Sequence, residues 1–157
     1  MPHYDLAVVG AGSTGFHAAR IASSQGKSVA LIEGSEQFGG LCILRGCMPT
    51  KTMLRSAEIA QLVRESSILG VDTSPPHINW SRIVQRTKNL VKEFAEHRQH
   101  SANRLKGVEI IRDWATFESP TSIRLSNQSV SADRFVISTV SCPRTPRSDP
   151  LNQVPGL

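Results

Sequence analysis

Tyr4-Asp5-Leu6-Ala7-Val8-Val9-Gly10-Ala11-Gly12-Ser13-Thr14-Gly15 is the stretch on which the fold of this 157-residue chain turns. Tyr4 to Val9 reads as a short buried strand running into a Gly-x-Gly-x-x-Gly turn. Beyond it Phe16, Ala18, Ala19, Ile21 and Ala22 continue as a helix up to Gly26. In that setting each glycine has a distinct task. Gly10 is expected to make the tight turn, Gly12 to let a pyrophosphate approach the backbone, and Gly15 to let the helix pack closely on the strand. A second strand, Ser28 to Ile32, ends at Glu33, 23 positions after Gly10, where a carboxylate is suited to accept bonds from a ribose hydroxyl. Strand, helix, second strand and terminal acid in register make a dinucleotide-binding βαβ unit of this stretch.

Working outward, the next informative segment is Gly39-Gly40-Leu41-Cys42-Ile43-Leu44-Arg45-Gly46-Cys47-Met48-Pro49-Thr50-Lys51. Two cysteines five positions apart sit among glycines just ahead of a helix start and read as a redox-active dithiol. A disulfide needs its Cα atoms about 4.4–6.8 Å apart, whereas five extended residues would span roughly 17 Å, so the backbone must coil between them. Pro49 suits a first helical turn, and Thr50 to Ser66 continues with helix-compatible residues carrying Met53, Leu54, Ala57, Ile59, Ala60, Leu62 and Val63. Cys47 is therefore expected near a helix N-terminus, where unpaired amides and the helix dipole favour thiolate, with Lys51 one turn further in. Two cysteines with no other Cys or His nearby make a poor zinc site, so no metal is expected here.

Fingerprint and dithiol together resemble the FAD-dependent pyridine nucleotide-disulfide oxidoreductases, the family that includes dihydrolipoamide dehydrogenase, glutathione reductase and mercuric reductase. Gly39 to Lys51 matches every fixed position of the family's dithiol motif. Val108 to Phe117 is similar to its strand followed by Gly-x-Ala-x-Phe, and Ala132 to Thr139 to its strand before Ala-Thr-Gly-Ser. The resemblance implies a relay in which NADH or NADPH reduces FAD, and the reduced flavin opens a Cys42–Cys47 disulfide. Cys47 is then the flavin-proximal charge-transfer thiol and Cys42 the interchange thiol that meets a disulfide-type small-molecule or lipoyl substrate. Cofactor contacts are implied for the amides around Gly12, Ser13, Thr14 and Gly15, for Glu33 on the ribose and for the Ala115 backbone on the adenine. Gly10, Gly40, Lys51 and Thr139 complete the implied set, with Lys51 beside the flavin.

The fold class that follows is α/β: a three-layer Rossmann-like FAD-binding fold with a parallel sheet, plus a small β-meander through Ile123–Leu125 and a last strand at Phe135–Thr139. Residues 1–141 are expected to form this domain and 142–157 a proline-rich tail, with Cys142 a spare thiol. The resemblance covers only the family's first FAD-binding segment. A truncated product is therefore expected, incomplete in its fold, with an apolar unpaired edge beside the last strand that promotes association. The family's NAD(P)H domain, its dimerisation domain and the His-Glu pair carried there have no counterpart here, so the alternative is a nucleotide-binding fragment without turnover. Asp113 and Val140 stand where the family has glycines, and Val140 disfavours the backbone conformation that glycine allows. Thr50 leans toward the lipoamide and mercury branches rather than the glutathione branch.

Composition is that of an ordinary globular domain, 39% hydrophobic with 5% aromatic residues. No run approaches the ~18 apolar residues of a membrane span, and the first strand begins too near Met1 to leave room for a signal peptide, so a cytoplasmic location is expected. A net charge of +5 raises the question of nucleic acid. Arg82, Arg86, Lys88, Lys92, Arg98 and Arg104 are scattered around an amphipathic stripe of Ile83, Val84, Leu90, Val91, Phe94 and Ala95, mixed with Glu93 and Glu96, which describes a solvated helix face and no nucleic-acid patch. His97 and His100 belong to that same face.

Overall fold

The computed structural model of the chain describes residues 1–139 and Ser141. Val140, Cys142 and the proline-rich stretch 142–157, each with an expectation attached above, lie outside the described residues. In chain order the elements are β1 (His3–Val9), α1 (Ser13–Ser24), β2 (Val29–Ile32), α2 (Gly40–Leu44), α3 (Cys47–Glu65), a 3-10 turn (Ser66–Leu69), α4 (Trp80–Asn103), β3 (Val108–Ile111), β4 (Thr116–Ser119), β5 (Ser122–Arg124) and β6 (Ser129–Ile137).

The strands form one sheet in the order β3-β2-β1-β6-β5-β4. β3, β2, β1 and β6 run parallel, so β1 lies between β2 and β6 with Val9 opposite both Ile32 and Ile137. Alternation decides which side chains go to which face. Val8, Val29 and Leu31 point toward α1 and α4, where Ala19, Ala22 and Ala102 meet them. Ala7, Val9, Ala30 and Ile32 point the other way, join Tyr4 in a second cluster, and are covered by Ile123, Leu125 and Val130 of the antiparallel meander. Helices on one face and a meander on the other give the three layers, and β2, whose four residues are all buried, is sealed on both sides.

Three elements differ from expectation. The final strand runs Ser129–Ile137 rather than Phe135–Thr139, because Ser129 and Ser131 alternate with buried Val130 and Ala132 and pair with β5 as well as β1. Past Ser131, β6 has a ladder partner only in β1 among the described residues, so its Asp133–Ile137 side is an unpaired edge. The segment expected as a loop before Cys47 contains the short helix α2. On α3, Leu54, Ile59 and Leu62 are exposed: among the described residues that helix packs chiefly on α4 and α2, and only its Thr52 and Ala60 are buried. α4 begins where Asn79 accepts the Arg82 N–H on its side chain at 2.9 Å. No helix among the described residues is long and apolar enough to cross a membrane.

Candidate active site

The turn after β1 is as tight as its glycines allow. Gly10 has φ +100°, and a Cβ there would lie 2.6 Å from the Ser138 carbonyl oxygen. A Cβ on Gly15 would overlap the Gly10 carbonyl oxygen, so the first turn of α1 rests directly on the strand end. Ser138 fastens the crossing, its hydroxyl donating to the Gly10 carbonyl at 2.7 Å. α1 has no side-chain cap and no acid in its first turn, which leaves its first amides, those of Ser13 and Thr14 among them, available to an anion.

Glu33, at the end of β2, is buried. Its Oε2 accepts the Ala11 N–H at 2.9 Å, and its Oε1 accepts the Ser35 N–H at 2.9 Å and the Ser35 hydroxyl at 2.6 Å. A carboxylate offers about four lone-pair sites, so capacity for a ligand hydroxyl remains. Arg112 braces the same turn by donating to the Ser35 and Glu36 carbonyls while its guanidinium lies 5.6 Å from the Phe38 ring centroid.

Between this turn and the ends of β1 and β6 lies a cavity of about 260 Å³. It brings together six of the sequence-indicated residues, Gly10, Gly12, Glu33, Gly40, Ala115 and Thr139. Ser13, Thr14, Gly15, Lys51 and the two cysteines are not in its wall. Trp114, Arg45 and Ser35 are, and sequence reasoning did not single them out. The Trp114 ring packs on Gly34, where a Cβ would come 2.5 Å from it. Asp113, which replaces a family glycine, accepts the Ser126 N–H and hydroxyl at 2.7 Å each and the Trp114 N–H at 2.7 Å. The Ser126 bonds, hydroxyl first, hold its carboxyl below the usual range, so this departure from the motif serves as a turn brace.

The dithiol lies next to the cavity. Gly40, at φ +68°, would bring a Cβ within 2.5 Å of Gly12 Cα, so the start of α2 stacks on the glycine turn before α1. Cys42 is in α2, the chain breaks at Arg45 and Gly46, and Cys47 is the first residue of α3. Both sulfurs are free thiols, Cys42 half-buried and Cys47 exposed. The neighbouring Cys47 thiol, followed by burial, pushes the Cys42 thiol up, while Lys51 pulls it down. Cys42 thus holds its proton more tightly than an ordinary thiol, and Cys47 stands at an uncapped helix N-terminus.

The expectation for α4 needs one correction. His97, His100, Arg82, Arg86, Lys88, Lys92 and Arg104 are exposed as read from the sequence, but Arg98 is half-buried, its guanidinium 4.4 Å above the Phe16 ring centroid. The signal was absent from the sequence because Phe16 and Arg98 belong to different helices.

Comparison with known proteins accords with this geometry. The chain is 30% identical over 98% of its length to a mercuric reductase from Staphylococcus aureus, of which it spans 28%. It is 33% identical over 88% of its length to a dihydrolipoyl dehydrogenase from Acholeplasma laidlawii, spanning 41% of it, and 31% identical over 91% to a glutathione reductase from Burkholderia cepacia, spanning 31%. Among solved structures, the Cu(II) complex of the HOCl-induced flavoprotein disulfide reductase RclA from Escherichia coli superposes with a TM-score of 0.79 at 25% identity, over 96% of this chain and 31% of that one. The pyridine nucleotide-disulphide oxidoreductase family matches residues 4–157. With its glycine turn, buried acid and paired thiols in one sheet-and-helix frame, the chain belongs to the family of FAD-dependent pyridine nucleotide-disulphide oxidoreductases.

Proposed function

We propose that residues 1–141 form the dithiol-bearing, dinucleotide-binding unit of an FAD-dependent NAD(P)H-disulfide oxidoreductase that delivers an electron pair through Cys42 and Cys47 to a disulfide-type substrate. The observation that carries this reading is the placing of Cys42 in α2 and Cys47 at the start of α3, with Gly40 of α2 stacked on the glycine turn beside a glycine-walled cavity. The residues present fit FAD: Gly40 lies too close to Gly12 to carry a Cβ, the first turn of α1 is uncapped, and Glu33 has acceptor capacity left. Amides of Gly12, Ser13, Thr14 and Gly15 would hold the pyrophosphate, Glu33 the ribose and the Ala115 backbone the adenine, with Gly10, Gly40, Lys51 and Thr139 completing the site.

Bound FAD would supply a two-electron path between a nicotinamide donor and the dithiol. The chemistry at the sulfurs belongs to this chain. A Cys42 thiolate attacks one sulfur of the substrate disulfide, forming a mixed disulfide and releasing one thiol. Cys47 then attacks the Cys42 sulfur, releasing the second thiol and closing the Cys42–Cys47 disulfide, so the two electrons of the dithiol end on the substrate. Lys51, which lowers the Cys42 pKa, eases the first deprotonation. In the whole protein the resemblance implies a homodimer and either a lipoyl-type or another small disulfide as substrate.

The test is to add FAD to the purified chain, remove the excess, and record the flavin absorbance that co-elutes with protein before and after dithiothreitol. Retained flavin with a new long-wavelength band on reduction is the expected result, because it requires Cys47 thiolate beside the ring. Retained flavin without that band would favour a nucleotide-binding fragment without turnover. No retained flavin would overturn the FAD assignment.

A further inference from the structure

Trp114 stands in the link between β3 and β4 and is 76% exposed, so it buries little apolar area in the core. It is nevertheless part of the wall of the glycine-lined cavity. A Cβ built on Gly34 would lie 2.5 Å from Trp114 Cδ2, 2.8 Å from Cε2 and 2.9 Å from Cε3. Cδ2 and Cε2 are the fusion atoms of the indole, enclosed in the ring plane by their neighbours, so an atom comes nearest to them only through a face. The indole therefore lies flat over Gly34, and its high exposure leaves the opposite face uncovered. Gly34 does not have a positive φ, so the backbone there makes no demand for glycine. What excludes a side chain at Gly34 is the ring above it.

The backbone that carries this ring is anchored on both sides. Asp113 accepts the Trp114 N–H at 2.7 Å and the Ser126 N–H and hydroxyl at 2.7 Å each. Arg112 donates to the Ser35 and Glu36 carbonyls, so Arg112 and Trp114 grip the turn after Glu33 at two points. A ring held in this way has little freedom left to lose when a planar group stacks on it. Glu33, the proposed ribose acceptor, immediately precedes Gly34, and Ala115 immediately follows Trp114. All four residues line the cavity. A base is joined directly to its ribose, so a ribose at Glu33 delivers its base to the neighbourhood of Gly34 and Trp114.

We propose that the open face of Trp114 is a stacking platform for a purine and makes this cavity prefer adenine nucleotides to those with a smaller base. This role rests on the dinucleotide-binding function proposed above and gives the base a side-chain partner outside the glycine motif. Stacking strengthens with the area of overlap, so a two-ring purine gains more from the indole than a one-ring pyrimidine. Ribose and phosphate contacts are common to both, so the preference isolates the contribution of the ring. The adenosine half is then bound in its own right, and ADP, which carries no flavin, is a ligand.

The test is calorimetric titration of the full chain with ADP and with CDP, for the wild type, Trp114→Ala, Trp114→Phe and a remote control, Trp80→Phe. Wild type and Trp80→Phe are expected to bind ADP about tenfold more tightly than CDP. Trp114→Ala should lose about tenfold in ADP affinity with CDP little changed, and Trp114→Phe should recover part of that loss. Thermal melting of Trp114→Ala should match the wild type, because the exposed ring adds little to the core. In Trp80→Phe, where Trp114 is the one remaining indole, saturating ADP should quench the emission and CDP should quench it less. If the wild type binds ADP and CDP alike, or Trp114→Ala keeps the preference or binds ADP more tightly, the platform assignment fails while the dinucleotide reading stands. If the wild type binds neither nucleotide, the dinucleotide reading fails and this inference with it.

Discussion

Glu33 and Ala11 are joined by a 2.9 Å hydrogen bond from the Ala11 backbone N–H to the Glu33 carboxylate, which ties the end of β2 to the turn that follows β1. Ala11 is fully buried, so no water replaces that acceptor. Glu33→Ala is expected to destabilise the chain by about 1–3 kcal/mol, the cost of an orphaned buried donor plus the lost Ser35 bonds. Glu33→Gln, which keeps one carbonyl acceptor, should lose less. Urea unfolding of both variants checks the order.

Gly15 and Gly12 belong to the same motif but fail differently. Alanine at Gly15 drives its Cβ into the Gly10 carbonyl, so loss of more than about 3 kcal/mol, or no soluble folded product, is expected. At Gly12 a Cβ meets only Gly40 Cα, at 3.6 Å, and φ is −64°. Gly12→Ala should stay within about 0.5 kcal/mol of wild type while weakening dinucleotide binding about tenfold. Thermal melting paired with a flavin-binding titration separates the two effects.

Removing Cys47 should make Cys42 more reactive. The neighbouring Cys47 thiol is the first cause of the raised Cys42 pKa, so in Cys47→Ala the remaining thiol moves down toward its ordinary range and under the pull of Lys51. Iodoacetamide labelling of Cys42 at pH 8, in a Cys142→Ser background, is expected to run several-fold faster than in wild type. An unchanged or slower rate would mean that burial, the second cause, dominates.

Two groups contribute to the pH dependence of stability in opposite senses. Tyr4 is the chain's one tyrosine, and burial, with a 2.6 Å bond to Glu109, pushes its pKa from 10.0 up to about 12. The folded state therefore holds that proton more tightly than the unfolded state. Its contribution is fully present below pH 10.0 and is lost as pH rises toward about 12. Asp5 behaves in the opposite sense: the Ser28 hydroxyl, then the Ser28 N–H and Lys27, hold its carboxyl well below the usual 3.8. Its contribution is present above that value and disappears as pH falls below it. Phenolate absorbance during an alkaline titration should show the Tyr4 midpoint near 12 in the folded chain and near 10 in denaturant.

Trp114 and Gly34 should behave as a coupled pair. Gly34→Ala places a methyl 2.5 Å from the Trp114 ring and is expected to cost about 1–3 kcal/mol as the ring is displaced. In a Trp114→Ala background most of that cost should vanish, giving a coupling of about 0.5–3 kcal/mol. Trp114 emission in a Trp80→Phe background reports the displacement directly.

The parts legible in the sequence are those whose conformation is dictated within a few residues. Gly10, Gly12 and Gly15 with their flanking apolar runs specify strand, turn and helix, because only glycine tolerates the contacts that turn requires. Glu33 follows from strand length, and the cysteine spacing with Gly46 and Pro49 foretells a coiled approach to a helix. Tertiary packing decided the rest. The seryl positions of β6 look like loop until Val130 and Ala132 are seen buried beneath the meander. The apolar residues of α3 look like core in the sequence, yet Leu54 and Leu62 stay exposed because, among the described residues, that helix packs chiefly on α4 and α2. Trp114 meets Gly34, and Arg98 meets Phe16, only because the packing of sheet and helices brings distant segments together. Local backbone chemistry thus fixed the nucleotide turn and the dithiol, while long-range packing of helix and sheet faces determined which charges and rings surround them.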